Sequence, residues 1–145
     1  MIPASQVAKL QNALPFWMSV LLVPLAVFGA WAGGLALLLL PLYAIGLTTL
    51  LDAISGLNQE NTDPETPEDG LFWYRLVTLV WFPIQIVTVL SLIWYATHTD
   101  HLATWEKLLL FYGVGVMSGG IGIVYAHELM HQKNNLERWL GDLLM

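Results

Sequence analysis

The protein has 145 residues, of which 57% are hydrophobic and only 11% are charged. A soluble domain carries about 25% charged residues, so this chain cannot cover a core with a water-facing surface, and we predict a membrane protein. The absence of cysteine excludes structural disulfides, iron–sulfur clusters and a cysteine nucleophile. The net charge is −6 and the few Lys and Arg residues stand singly along the chain, which excludes a basic surface for nucleic acid.

The longest uncharged run extends from Leu10 to Leu51. As a helix it would be roughly 63 Å long, about twice the thickness of the hydrocarbon core of a bilayer. One straight crossing cannot use this length, whereas a helical hairpin can. We place the turn at Trp31-Ala32-Gly33-Gly34, because two glycines permit a tight reversal of the chain.

Two shorter uncharged runs, Leu76 to Thr99 and Leu108 to His127, are each long enough for one crossing of about 30 Å. The sequence therefore predicts about four transmembrane helices. They fall at approximately residues 13–31, 33–51, 76–97 and 108–126. The expected fold class is all-α, an integral membrane helical bundle that forms one domain over residues 1–145.

The positions of the cations predict the orientation of this bundle. Four crossings place the N-terminus, the segment after Asp52 and the C-terminal segment on one side of the membrane. The cations on that side are Lys9, Arg75, Lys133 and Arg138, whereas the other side holds only Lys107. The positive-inside tendency makes the first side cytoplasmic.

The loop Ser55–Gly70 is rich in acidic residues and proline. It fits a solvated connector, which we favour, or a docking site for a partner protein. Asp52, which precedes the loop, is either a helix-end carboxylate at the level of the lipid headgroups or a functional group within the membrane. Both interpretations of Asp52 stay open.

The last predicted crossing is rich in small residues, among which Gly115 and Gly119 form a GxxxG pattern and Ser118 and Gly122 a second small-xxx-small pair. This pattern is typical of close helix packing, although the missing side chains could also leave room for an apolar ligand. Further along, apolar residues at helical spacing stand opposite Glu137, Arg138 and Asp142. That arrangement predicts an amphipathic C-terminal helix at the cytoplasmic interface.

Two histidines close the last crossing, in the sequence Ala126-His127-Glu128-Leu129-Met130-His131. On a helix, His127 and His131 are one turn apart and project from the same face. Two neutral nitrogen donors suit zinc, iron, copper or nickel better than magnesium or calcium. We therefore favour a metal site over a pair of interfacial histidines that binds no metal.

The same residues fit the His-Glu-x-x-His pattern of zinc proteases, in which both histidines bind zinc and the glutamate activates water. The five residues alone do not separate that chemistry from an iron site. His98 and His101 form a second close pair, but we place them on the opposite side of the membrane, where they cannot join the same centre.

Several stretches of the chain occur together in the order found in one family. An uncharged hairpin ends in Leu51-Asp52, and an acidic loop contains Asn61-Thr62-Asp63-Pro64-Glu65. Trp73-Tyr74-Arg75 opens the next span, and the histidine segment is followed by Leu136-Glu137-x-Trp139-Leu140. With these stretches the chain resembles the membrane-bound alkane hydroxylases, within the histidine-box di-iron hydroxylases and desaturases.

The resemblance implies a multi-pass protein in the inner (cytoplasmic) membrane of a bacterium. It implies a non-haem di-iron centre that oxidises an unactivated C–H bond of an alkane or similar apolar chain. Its partners would be membrane lipid, O2 and a rubredoxin-type electron donor. His127 and His131 would be iron ligands, and Glu128 would orient a ligand imidazole. No role is carried over to Asp52.

The chain departs from the family in one respect: the later histidine boxes, of the type H-x-x-H-H, have no counterpart in it. We therefore expect it to be inactive on its own, as the N-terminal part of a longer histidine-box fold. A truncated product, or a site that another chain completes, are the alternatives. Two other hypotheses stay open, namely an intramembrane zinc metalloprotease fragment and a membrane subunit without enzymatic activity.

Overall fold

The computed structural model describes residues 4–47, 49, 53 and 71–145. Within these ranges the secondary structure is helical and contains no strand, as the composition predicts. Helices satisfy their own backbone hydrogen bonds, which is the requirement that lipid imposes on a chain crossing it. The all-α fold class is therefore confirmed.

The first crossing is one nearly continuous helical arm. Helix α1 (Ala4–Trp17) passes through a 3-10 turn (Met18–Leu21) into helix α2 (Leu22–Ala32). The apolar part of this arm, Ala13–Ala32, has 20 residues. It is therefore about 30 Å long, which matches the crossing predicted at residues 13–31.

The chain reverses at the predicted pair of glycines. Gly33 has φ 68° and Gly34 has φ 55°, conformations that L side chains rarely adopt. The Gly34 N–H donates to the Glu106 carboxylate at the start of a later helix. The other oxygen of Glu106 accepts from Ala103 N–H at 2.7 Å, so one side chain caps that helix and fixes the turn.

The returning arm is irregular. It comprises a 3-10 segment (Gly34–Leu38), one turn of α-helix, α3 (Leu39–Pro41), and a π-helical segment (Leu42–Leu47). The apolar helix Gly34–Gly46 is about 20 Å long, shorter than a full crossing. The rest of the crossing predicted at 33–51, Asp52 and the acidic loop lie outside the described residues. The fourth crossing therefore stays a prediction.

Two long helices form the other half of the bundle. Helix α4 (Phe72–His98) has 27 residues. Helix α5 (Thr104–Met117), a π-helical segment (Ser118–Gly122) and helix α6 (Ile123–Met130) together form a second continuous arm of 27 residues. Both arms are long and apolar enough to span a membrane, and they coincide with the stretches predicted as crossings at 76–97 and 108–126.

A short C-terminal helix, α7 (Asn135–Leu144), follows the histidines. Its amphipathic character is confirmed, because Leu136, Trp139 and Leu143 form an exposed apolar edge. One charged residue of its polar side is not exposed to solvent. Glu137 is only 5% exposed, because α7 folds back against the bundle and turns this carboxylate inward.

The core surrounds Trp81 at the middle of α4, which is completely buried. Residues from the first arm, the returning arm and the arm 104–130 contribute to the same apolar cluster. Its most buried large members besides Trp81 are Leu22, Leu110, Met117 and Val77. The described helices therefore form one bundle.

We expect Gly33→Ala to destabilise the bundle by about 1–3 kcal/mol, because its backbone conformation is nearly exclusive to glycine. A Cβ there would also lie 3.0 Å from the Glu106 carboxylate. Unfolding in detergent followed by circular dichroism measures the effect. Gly115→Ala is the control, since a Cβ there meets nothing within 4 Å. Equal stability of the two variants would contradict the assignment of the turn.

Candidate metal site at the end of helix α6

The two histidines lie side by side at the end of α6. His127 is in the last turn, and His131 is the residue that ends the helix, with its N–H donating to the His127 carbonyl at 3.3 Å. The ring centroids are 4.5 Å apart and the ring planes meet at 66°. Both side chains are exposed, so their nitrogens are accessible to a ligand.

The position of the pair at a helix C-terminus favours a cation. Carbonyl groups without helical partners carry partial negative charge there, and they stabilise positive charge within the last turn. The chain then turns into helix α7. The Asn134 side chain caps the start of this helix by accepting from the Leu136 N–H at 2.9 Å. The pair therefore lies at the exposed corner between two helices.

Tyr125 attaches this corner to the first arm. Its hydroxyl donates to the Phe16 carbonyl at 2.9 Å and lies 3.0 Å from the Ser19 hydroxyl. Its ring packs edge-on against Trp81, with centroids 5.8 Å apart. Tyr125 is buried and precedes His127 by two positions, so these contacts fix where α6 ends in the bundle.

A buried amide lies beside the π-helical segment that precedes α6. Gln85 is 7% exposed, and its side-chain oxygen accepts from the Trp81 indole N–H at 2.6 Å. The same amide occupies the space that a side chain at Gly122 would need. Close packing at Gly122 agrees with the prediction from the small-xxx-small pair of Ser118 and Gly122. The sequence did not indicate Gln85 as the residue that packs there.

The two glycines of the GxxxG pattern do not make such contacts. A Cβ at Gly115 or at Gly119 would meet nothing within 4 Å, so the GxxxG pattern is not a packing contact between described residues. Gly113, in contrast, lies against Leu40, where a Cβ would come within 3.0 Å. The close approach of the returning arm is therefore made two residues before the pattern begins.

Helix α7 packs tightly on α6 through one glycine. A Cβ at Gly141 would lie 2.7 Å from the Ala126 carbonyl oxygen and 2.9 Å from the Met130 backbone nitrogen. Ala126 and Met130 immediately precede His127 and His131, respectively. The two helices therefore form a close hairpin around the histidines, with the histidine side chains directed outward.

Glu128 lines a different cavity. A cavity of about 320 Å³ between the first arm, α4 and α6 is bordered by Glu128, Arg75 and Gln132, among others, and by neither histidine. Among the described residues, no hydrogen bond joins the Glu128 carboxylate to either imidazole. Its role in orienting a ligand imidazole therefore stays a prediction.

The other two histidines lie at the far end of the bundle. His98 ends helix α4, and a ring nitrogen of His101 lies 2.8 Å from the Trp31 carbonyl oxygen. The arm 104–130 separates them from His127 by roughly 40 Å. In the part of the chain that the structure describes, no group of three or more His, Asp or Glu side chains could hold a metal.

These features define a helical membrane protein that presents a pair of imidazoles at one end of its bundle. Residues covering 69% of the chain are 34% and 33% identical to alkane 1-monooxygenases 1 and 2 of Pseudomonas aeruginosa. An alkane 1-monooxygenase 1 of Alcanivorax borkumensis is 26% identical over the same share. These relatives support the assignment of the chain to the alkane hydroxylase family.

The match covers only part of these relatives. The chain spans about a quarter of the length of the curated relatives, namely 27% of both Pseudomonas proteins and 25% of the Alcanivorax protein. No protein-family model and no solved structure matches the chain. The family assignment therefore rests on the curated relatives.

We expect Gly141→Ala to separate α7 from α6, because a methyl group would overlap the Ala126 carbonyl. Overpacking of this kind costs about 1–3 kcal/mol. Limited trypsin digestion reports the change, since Lys133 and Arg138 flank the start of α7 and should be cleaved faster. Gly119→Ala is the matched control because its position is open. Unchanged cleavage in Gly141→Ala would refute the tight hairpin.

Proposed function

We propose that the protein is the N-terminal part of a non-haem di-iron monooxygenase that hydroxylates terminal C–H bonds of alkanes or similar apolar chains. The co-substrate is O2, and a rubredoxin-type protein delivers the electrons. The observation that carries the proposal is the match to alkane 1-monooxygenases in a chain whose paired histidines end a membrane-length helix.

The donor set fits an iron site. His127 and His131 offer two imidazoles from one side of a helix end, and the helix dipole favours a cation there. We propose these two residues as ligands and Glu128 as the residue that orients one of them. Bound iron would supply the activation of oxygen, for which no amino-acid side chain suffices.

The remaining ligands must come from other residues. The sequence holds four histidines, and His98 and His101 lie at the opposite end of the bundle. We therefore propose that this chain alone does not complete a di-iron centre and is inactive in isolation. The missing ligands would belong to the portion of the family's fold that this chain does not match.

The bundle suits an apolar substrate. An alkane dissolves in the hydrocarbon core of the bilayer, and the arm 104–130 extends from that core to the histidines at its end. Substrate can therefore approach the pair from lipid, whereas a soluble electron donor approaches from water. We propose that the histidine end faces the cytoplasm of a bacterium, because four of the five cations lie at that end or in segments predicted to lie there.

The zinc metalloprotease is less favoured on two grounds. A protease of that kind needs its glutamate beside the metal-bound water, but Glu128 borders a cavity that neither histidine lines. The relatives are named as monooxygenases. A subunit without enzymatic activity predicts that loss of both histidines leaves function intact, so the next experiment also tests that hypothesis.

The test is a chimera in which this chain replaces the matching region of alkane 1-monooxygenase 1 from Pseudomonas aeruginosa. We expect it to bind iron and hydroxylate a linear alkane. His127→Ala and His131→Ala should each lower iron content and turnover by at least about tenfold, since even residues that only support metal ligands cost about 10–100-fold when lost. Elemental analysis and product chromatography measure both.

The control variant is His98→Ala, which removes an exposed histidine at the other end of the bundle. It should leave iron content and turnover unchanged. A folded chimera that stays fully active after loss of both His127 and His131 would refute their role as ligands. Zinc in place of iron, with peptide hydrolysis abolished by Glu128→Gln, would establish the protease instead.

The proposed orientation can be tested separately, because the chain has no cysteine of its own. Single cysteines at two exposed positions, Asn135→Cys beside the histidines and Thr104→Cys at the other end, can be labelled in intact cells. We expect a membrane-impermeant maleimide to label only Thr104→Cys until the membrane is opened. The reverse pattern would place the histidines outside the cytoplasm.

A further inference from the structure

We propose that the ion pair between Arg75 and Glu137 positions the histidine pair, by holding α7, and with it the end of α6, against α4. Arg75 and Glu137 are then positioning residues that touch neither metal nor substrate. The description of the histidines as metal ligands rests on the proposed function, whereas the coupling between the helices is a property of the fold.

Glu137 on α7 is buried against the bundle. This carboxylate is 5% exposed, and one of its oxygens accepts from an Arg75 guanidinium nitrogen at 2.7 Å. Its second oxygen is buried without a hydrogen-bond partner among the described residues. A buried carboxylate is costly unless it is paired, so the position of α7 that buries Glu137 depends on the guanidinium.

An ion pair fixes the position of α7 more specifically than apolar packing does. Apolar contacts between helices are weakly directional, and lipid competes for them because its tails are as apolar as leucine. The exposed apolar edge of α7 would bind equally well to lipid in other positions. An arginine–carboxylate contact is short and directional, so it selects one position of α7 relative to α4.

The packing of α7 on α6 couples the position of α7 to that of the histidines. Gly141, one helical turn after Glu137, packs on the Ala126 carbonyl oxygen and the Met130 nitrogen. These atoms belong to the residues immediately before His127 and His131. Helix α7 and the end of α6 therefore move together, and the ion pair ties this hairpin to α4.

The pair also joins two stretches of sequence that are distant along the chain. Arg75 ends the Trp73-Tyr74-Arg75 stretch at the start of α4, and Glu137 follows Leu136 on α7; the two residues are 62 positions apart. Both stretches contributed to the resemblance to alkane hydroxylases. Their contact gives a physical reason for the two motifs to occur together.

The experiment measures the position of α7 directly in the full chain, reconstituted in lipid nanodiscs. Because the protein lacks cysteine, spin labels can be placed at Leu90→Cys on α4 and Asp142→Cys on α7, both exposed. Pulsed electron paramagnetic resonance should give one narrow distance distribution. Arg75→Gln and Glu137→Gln should each widen it at least twofold or add a second distance.

Conservative and control variants separate positioning from general damage. Arg75→Lys keeps the charge and should keep most of the narrow distribution. The charge-swapped double variant Arg75→Glu, Glu137→Arg should narrow the distribution again relative to either neutral variant. Arg138→Gln removes an exposed charge from the same helix and should change nothing.

A second readout follows the histidines themselves. Cu²⁺ added to the chain without spin labels should bind His127 and His131 and give one set of hyperfine lines. In Arg75→Gln both imidazoles remain, so Cu²⁺ should still bind, but with two or more overlapping spectra. A change in spectral heterogeneity at equal copper occupancy is the signature of positioning, because mere loss of folded protein would lower the occupancy instead.

The outcomes distinguish this inference from the proposed function. Wild-type distance widths and a single copper spectrum in both Arg75→Gln and Glu137→Gln would overturn the positioning role, whatever metal the chain binds. If Arg75→Gln does not fold, Glu137→Gln and Arg75→Lys decide by the same criterion. Widened distances in a chain whose histidines never bind Cu²⁺ would support the coupling and overturn the proposed metal site.

Discussion

The position of the histidines depends on hydrogen bonds between α6 and the first arm. The Tyr125 hydroxyl contacts the Phe16 carbonyl and Ser19, and the Tyr125 ring packs on Trp81. Ser19 and Tyr125 are buried, so either hydroxyl would be costly if it were left unpaired. Helix α6 can therefore end in only a narrow set of positions relative to the first arm and α4.

The arm 104–130, which ends in α6, is also fixed at its start. Glu106 accepts from both Gly34 and Ala103, so the turn of the first hairpin and the start of α5 share one carboxylate. Polar side chains thus anchor the long apolar arm 104–130 at both ends, while apolar packing around Trp81 holds its middle. The metal site proposed at the end of α6 would benefit from this arrangement, because ligand geometry must be held to a fraction of an ångström.

Hydrophobic patterning predicted the helices but not how their surfaces meet. Uncharged runs predicted three membrane-length apolar helices close to their observed places, and two adjacent glycines predicted the turn, because length and backbone conformation are local properties. The pattern did not show which glycines pack: Gly122 and Gly141 make close approaches, while Gly115 and Gly119 face open space. That distinction depends on where Gln85 and Ala126 lie, and those residues are remote in sequence or on another helix.

The sequence by itself determined a helical membrane protein with two imidazoles one turn apart, since composition and a spacing of four residues need no partner to act. Only the tertiary structure decided that Glu137 is buried against Arg75, and that Glu128 lines a cavity apart from the histidines. In the sequence, Glu137 and Glu128 resemble any other exposed acid. Their environments arise from packing between segments distant along the chain, which no local pattern encodes.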